Sequence, residues 1–293
     1  MNLSIIDIGT QSLKHYIFEV EGTSKKSLHY KRYSEANLGE HETIAPETIQ
    51  RNIQILAGCL NTNKIHNVSK LQILGTEILR KAHNAKEFVS AVRDLSGHTI
   101  QIISQDEEAR YLYEGFVSIV PKDVVFAAMN IGGGSTEVVT GDPDHLIDFK
   151  KIPFGVKFLR KMFSTDTVMN WEKLDAYLSK EIDVSQKVPI VFVTGVLDFI
   201  LTVGPHLGFV FDTNDTPNHP IRIGMQAYVG FLNVLRKTPI EALKKLYPKD
   251  PGYADNFVTG QSVYVAIARK LSAEIIIPSN NDLTDGVIYR LVA

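Results

Sequence analysis

Short apolar runs alternate with amphipathic stretches along the chain, and the alternation reads as strands and helices in an α/β order. Residues 3–8 form an apolar run that ends in Asp7-Ile8-Gly9 and predicts a buried strand. The turn-rich Gly9-Thr10-Gln11-Ser12 follows, then residues 13–20 return as a second strand, with 28–33 as a candidate third. Residues 46–60 carry Ile49, Ile53 and Leu56 at helical spacing behind Pro46, a residue suited to a first turn. A strand at 71–74 and helices at 85–95 and 106–118 come next. Residues 124–131 form a strand ending in Asn130-Ile131-Gly132, and 137–140 return as another after Gly133-Gly134-Ser135-Thr136. The second half reads as helices at 171–182, 227–235, 239–246 and 254–271, a short strand at 275–277 and a closing helix at 283–291. Residues 212–220 are polar and hold two prolines, which makes them the candidate mobile loop.

A repeat lies inside this pattern. Asp7-Ile8-Gly9-Thr10-Gln11-Ser12 and Asn130-Ile131-Gly132-Gly133-Gly134-Ser135 share Ile-Gly-x-x-Ser, each between an apolar strand and a returning strand. So short a match is weak alone; two such hairpins, one opening each half, predict a duplicated lobe. The length of 293 residues points the same way, because it exceeds what one core usually supports.

Composition narrows the class. A net charge of −2 argues against general affinity for nucleic acid, which needs a basic excess to neutralise phosphates. Cys59 is the only cysteine, so neither an intrachain disulfide nor a cysteine metal cluster is available. The chain reaches Asp7 too early for a signal-peptide core, and the longest apolar stretch, 189–204, contains Asp198 and is too short to span a bilayer. A cytoplasmic protein with no membrane partner is expected, and a homodimer is among the oligomeric states left open.

The sharpest chemical signal is Gly132-Gly133-Gly134-Ser135-Thr136. Consecutive glycines let several N–H groups face one concavity, a nest for an anion, and the two hydroxyls are candidate further donors. The bland alternative is a tight hairpin without a ligand. No Gly-Lys-Ser/Thr follows, so this is not a Walker loop. Asp7, at the end of a buried strand, reads equally as a Mg²⁺ ligand or as a carboxylate capping its own turn. Asp106-Glu107-Glu108 opens a helix, where acidic residues commonly serve only the helix dipole; the alternative is a general base that orients water. Arg80 is either a phosphate fork or part of a solvated helix face. The histidines, His15, His83 and His98 among them, show no metal-ligand spacing.

In this order the segments resemble the exopolyphosphatase/guanosine pentaphosphate phosphohydrolase family of the actin/Hsp70/sugar-kinase superfamily. Asp7-Ile8-Gly9-Thr10-Gln11-Ser12 looks like the family's Asp-Ile-Gly-Ser-Asn-Ser loop. Thr76-Glu77-Ile78-Leu79-Arg80-Lys81-Ala82 resembles its Thr-Ser-Ala-x-Arg-x-Ala segment, and Ile103-Ser104-Gln105-Asp106-Glu107-Glu108-Ala109-Arg110 its Ile-Ser-Gly-x-Glu-Glu-Ala-Arg motif. Asn130-Ile131-Gly132-Gly133-Gly134-Ser135-Thr136-Glu137 is similar to Asp-Ile-Gly-Gly-Gly-Ser-Thr-Glu, and Ile152-Pro153-Phe154-Gly155 to the Leu-Pro-x-Gly that follows it.

The resemblance implies two ribonuclease-H-like domains with a ligand cleft between them: residues 1–123, closed by the helix at 283–293, and residues 124–282. It implies Mg²⁺-dependent release of a terminal phosphate from polyphosphate or a phosphorylated guanosine nucleotide. Glu108 would be the water-activating base, with Arg80 beside it. Asp7, Glu137 and position 130 would hold the metal. Gly9, Thr10, Gln11, Ser12, Lys14, Gly132, Gly133, Gly134, Ser135, Thr136 and Gly195 would hold phosphate oxygens. Three positions depart from the pattern. Asn130 replaces an aspartate and brings no charge to a cation. Lys14 replaces an arginine and loses its fork. Thr194-Gly195-Val196 replaces Gly-Gly-Thr and loses a hydroxyl. A catalytically degenerate binding or sensor protein is therefore the alternative to the hydrolase. A sugar- or acetate-type kinase is disfavoured by Glu107-Glu108-Ala109-Arg110.

Overall fold

The computed structural model describes residues 1–10, 12–22, 24–38, 42–165, 168–184, 186–211 and 219–292. Gln11 and most of the 212–220 segment lie outside the described residues. The chain divides into two compact units, Met1–Glu108 with Val287–Ala293, and Ala109–Gly286.

Unit 1 runs β1 (Asn2–Ile8), β2 (Leu13–Glu21), β3 (Ser24–Tyr33), α1 (Pro46–Ile65), β4 (Lys70–Gly75), α2 (Glu77–Lys81), α3 (Ala85–Ser96), β5 (Gln101–Ile102) and the start of α4 (Gln105–Val117). Its sheet has the order β3-β2-β1-β4-β5. The first three strands form an antiparallel meander; β4 and β5 add in parallel. Parallel addition needs a crossover, and α1 supplies it between β3 and β4. Ile6, Ile8, Leu13 and Ile73 pack with Leu56 and Cys59 of α1 and Phe88 and Val92 of α3 into one core.

Unit 2 runs from the rest of α4 through β6 (Phe126–Ile131), β7 (Thr136–Gly141), β8 (Leu146–Ile152), α5 (Val156–Phe163), the two-residue strands β9 (Ser164–Thr165) and β10 (Val168–Met169), α6 (Trp171–Glu181), β11 (Ile190–Thr194) and α7 (Leu197–Val203). Then follow β12 (Ile223–Gly224), α8 (Met225–Lys237), α9 (Ile240–Leu246), α10 (Pro251–Lys270), β13 (Ile275–Ser279) and α11 (Leu283–Val292). The sheet order is β12-β13-β11-β6-β7-β8. Again three strands form an antiparallel meander, β6-β7-β8, and parallel strands β11 and β13 extend it from β6. The duplication expected from a short repeat is thus written in the sheets: β1, β2, β3 and β4 of unit 1 have their counterparts in β6, β7, β8 and β11.

Strand β6 shows how the sheet is covered on both faces. Its side chains alternate. Phe126 and Ala128 pack with Leu112, Tyr113 and Phe116 of α4, whereas Ala127 and Met129 enter the larger core with Leu174, Tyr228 and Tyr264 from α6, α8 and α10. This packing bears on residues 109–117, which precede the expected boundary at 123. Residues 109–117 lie with the unit 2 sheet because Phe116 is fully buried with its ring centroid 4.7 Å from that of Phe192. The division falls inside α4, and it falls inside α11 between Gly286 and Val287. A Cβ at Gly286 would collide with the Tyr111 carbonyl oxygen, so α11 meets α4 at a point where only hydrogen fits. Among the described residues no helix is long and apolar enough to cross a membrane.

One buried group in unit 1 makes its stability depend on pH. His15, on β2, is fully buried; its Nε2 lies 2.8 Å from Asn63 Oδ1 and 3.2 Å from Ser4 Oγ, and its Nδ1 meets no partner. Burial, together with the neighbouring His29 and His66, lowers its pKa to about 4, against the side-chain hydrogen bond to Asn63, which acts upward. The unfolded chain takes up that proton near pH 6.5, so stability is intact above that pH and falls as the pH drops toward 4. The loss amounts to roughly 3 kcal/mol. Urea denaturation between pH 7 and pH 4.5 should show this slope, and His15→Leu should flatten it. Equal slopes in the two proteins would refute the assignment.

Candidate functional site

Each unit places its repeated hairpin at the same point of its sheet. In unit 1 the turn closes with Gly9 N–H donating to Ser12 O at 3.1 Å, and Asp7 stands directly across the ladder from Lys14. In unit 2 Gly132 N–H donates to Ser135 O at 2.9 Å, and Asn130 stands across from Glu137. Both pairs are in contact. Lys14 Nζ lies 3.4 Å from Asp7 Oδ2. Asn130 Nδ2 donates to Glu137 Oε2 at 3.1 Å, and Ser135 Oγ donates to Glu137 Oε1 at 2.6 Å. Asp7 and Glu137 are each only 5% exposed, so these donors answer the cost of burying a carboxylate.

The glycine loop is held from behind. The first amides of α5, Val156 and Lys157, donate to Gly132 O and Gly133 O at 3.0 and 3.1 Å. Thr136 Oγ1 donates to Phe154 O at 2.8 Å and is fully buried. Gly155 is where this backing approaches most closely, since a Cβ there would run into Gly132 O and Gly133. The two hydroxyls that sequence offers as outward donors therefore serve the protein: Ser135 serves Glu137 and Thr136 serves Phe154. What remains is the backbone. Among the described residues the N–H groups of Gly133, Gly134 and Ser135 find no protein acceptor. Successive amides in a turn without a protein acceptor have the arrangement of an anion nest.

The third loop offers less. Gly195 takes φ +69°, but its N–H donates to Ser279 O at 3.2 Å and its carbonyl accepts from Tyr253 at 2.6 Å. Thr194 Oγ1 donates to Asn130 Oδ1 at 3.1 Å, and Thr194 O accepts from Tyr264 at 3.2 Å. Val196 is 2% exposed and belongs to the core, so the hydroxyl lost relative to the family pattern would not have faced a ligand from this position. Tyr253 and Tyr264 were not legible as site residues. They stand on the long helix α10 with no motif around them, and burial raises the Tyr264 phenol far above its ordinary range.

In unit 1 the structure brings Arg80 and Glu108 together. Arg80 NH2 lies 3.0 Å from Glu108 Oε2, while its NH1 donates to Ile103 O at 2.6 Å. The two acidic neighbours have separate tasks. Ser104 N–H donates to Glu107 Oε2 at 2.7 Å and Glu107 N–H donates to Ser104 Oγ at 3.1 Å, a capping box that starts α4. Glu107 is thus the helix-start residue, and Glu108 is the carboxylate fixed by a guanidinium. A groove of about 280 Å³ between α6, α8 and α10, rimmed by Arg236, Arg269 and Lys270, contains none of these residues.

The two meander-plus-parallel sheets and the paired hairpins define a two-domain α/β protein of the actin-like, ribonuclease-H-like class. The particular family follows from comparison: a model of the Ppx/GppA phosphatase family matches residues 21–293, and the chain belongs to that family. Among solved structures, the Ppx/GppA family member from Aquifex aeolicus is 22% identical, covering 100% of this chain and 97% of that one with a TM-score of 0.80. An exopolyphosphatase from Cytophaga hutchinsonii is 17% identical, covering 100% and 98% with a TM-score of 0.84.

The capping assignment separates the two glutamates by experiment. Glu107→Ala should lower stability by about 1 kcal/mol through loss of the cap. Thermal or urea denaturation reads this directly. A Glu107→Ala protein as stable as wild type would remove the capping role.

Proposed function

We propose that this protein is a phosphohydrolase that releases the terminal phosphate of an inorganic polyphosphate or of guanosine pentaphosphate. The observation that carries the reading is the run of N–H groups at Gly133, Gly134 and Ser135 that donate to no protein acceptor. Such donors suit the charge that spreads over phosphoryl oxygens during transfer. In this reading the loop amides bind phosphate oxygens, and the family resemblance makes Glu108 the base that takes a proton from the attacking water. The water oxygen bonds to phosphorus as the bridging P–O bond breaks, and the electron pair leaves on the shortened chain. Arg80 keeps Glu108 in one orientation, so the base is positioned before substrate arrives.

The third loop favours the bare phosphate chain over the nucleotide. The carbonyl and hydroxyl of Thr194 and the N–H and carbonyl of Gly195 are spent inside unit 2, which leaves a base or ribose few donors there. The Mg²⁺ implied by resemblance does not fit as a resident ion. Asp7 is paired with Lys14, Glu137 accepts from Asn130 and Ser135, and among the described residues no three His, Cys, Asp or Glu side chains could hold a metal together.

Phosphate release should be measured from polyphosphate and from guanosine pentaphosphate, with and without Mg²⁺. Wild type should release phosphate, with polyphosphate the better substrate, and Glu108→Gln should lower the rate by about 10²-fold or more. Wild-type hydrolysis that Glu108→Gln leaves untouched would end the catalytic assignment. Tight binding with no hydrolysis would favour the binding-protein reading, in which the same hairpins only hold the chain.

A further inference from the structure

We infer that the glycine hairpin of unit 2 engages a phosphate chain without a divalent cation, and that Asn130 is the positioning residue that makes this so. The inference rests on the reading that a phosphate chain is the ligand.

The argument starts from register. Asn130 lies opposite Glu137 on β7, and Thr194 stands one residue beyond the last pair of β6 and β11, Met129 with Val193. Glu137, Asn130 and Thr194 thus form a row across three neighbouring strands. The amide has one workable orientation. Glu137 needs a donor, so Nδ2 points to it, and Oδ1 then accepts from the Thr194 hydroxyl. A carboxylate at position 130 would face the Glu137 carboxylate across the same 3.1 Å ladder contact. Two carboxylates in that arrangement cannot both stay ionised without a cation between them. The amide removes the demand. It donates where an aspartate would repel, and it adds no charge that a cation must balance.

The first hairpin reaches the same result with roles exchanged. There the carboxylate is on the outgoing strand, as Asp7, and the donor on the returning strand, as Lys14. In the second hairpin the donor is on the outgoing strand, as Asn130, and the carboxylate on the returning strand, as Glu137. Each buried carboxylate therefore has a partner directly across its hairpin. The loop amides of Gly133, Gly134 and Ser135 are uncharged and need no metal to attract phosphate oxygens.

The test is calorimetric titration of a methylene-bridged tripolyphosphate, which resists cleavage, into wild type and Asn130→Asp, once in EDTA and once in Mg²⁺. Wild type should bind in EDTA with little change on adding Mg²⁺. Asn130→Asp should bind about tenfold or more weakly in EDTA and recover in Mg²⁺. Thermal denaturation without ligand gives an independent arm. Mg²⁺ should raise the melting temperature of Asn130→Asp, whose paired carboxylates would hold it, and leave wild type unmoved. Wild type that binds only with Mg²⁺, or that Mg²⁺ stabilises as much as it does the variant, overturns the inference and leaves the hydrolase reading intact. Wild type that binds in neither solution overturns the phosphate-chain reading itself.

Discussion

A buried carboxylate must be given donors, and the second unit is arranged around the one at Glu137. Its oxygens take Ser135 and Asn130, Asn130 takes Thr194, and the Thr194 carbonyl takes Tyr264. That chain crosses from β7 through β6 and β11 to α10, so it ties the hairpin to the sheet's parallel half and to the helix behind it. Beside it, Thr136 holds Phe154, and α5 lays its first amides on the loop carbonyls. Once these bonds are made, the side chains of Asn130, Ser135 and Thr136 are used, and the carbonyls of Gly132, Gly133 and Ser135 accept from the protein. The amides of the glycine run are what is left to face a ligand. The anion nest follows from satisfying Glu137 and needs no separate explanation.

Duplication explains why the same solution recurs in a different dress. The two sheets share one strand order around their hairpins, and the paired positions across each hairpin correspond: Asp7 with Asn130, Lys14 with Glu137. What both copies keep is one acid facing one donor, while the strand that carries each has changed. A residue-by-residue alignment of the repeats would score both positions as mismatches. The physical invariant is the pair, and it shows only when the register is known.

Much of this was legible in the sequence where the pattern is local. Strands β1, β2, β6 and β7 and helices α1, α3, α4, α6, α8, α9, α10 and α11 announce themselves by period or by proline and glycine punctuation. Strand β8 did not, because Ile147 is exposed and Lys150 and Lys151 interrupt the alternation, as suits the edge position it holds. Helix α5 was hidden by its shortness and by the Phe154-Gly155 turn that starts it. Within the candidate site, the residues were named by motif resemblance, and what their side chains touch was not legible. Ser135 and Thr136 look like ligand donors until the register shows Thr136 inside the sheet. Glu107 and Glu108 are adjacent, so on a helix they point about 100° apart, and only the Ser104-x-x-Glu107 spacing hints which one caps.

The charge of the candidate groups bears on how a polyanion is bound. Asp7 and Lys14 cancel, Arg80 and Glu108 cancel, and Glu137 is left with a neutral amide and a hydroxyl. A net charge of −2 gives the chain no general pull on a polyanion. Oriented neutral dipoles can hold one, because a nest of amides fixed by α5 loses nothing in reorganisation when an oxygen arrives. Such a site discriminates by shape. A nest of amides suits a tetrahedral group whose oxygens reach several N–H groups at once better than a flat carboxylate. The weak overall charge and the glycine-rich hairpin are then two sides of one strategy, in which the backbone performs the recognition and the side chains keep the backbone in place.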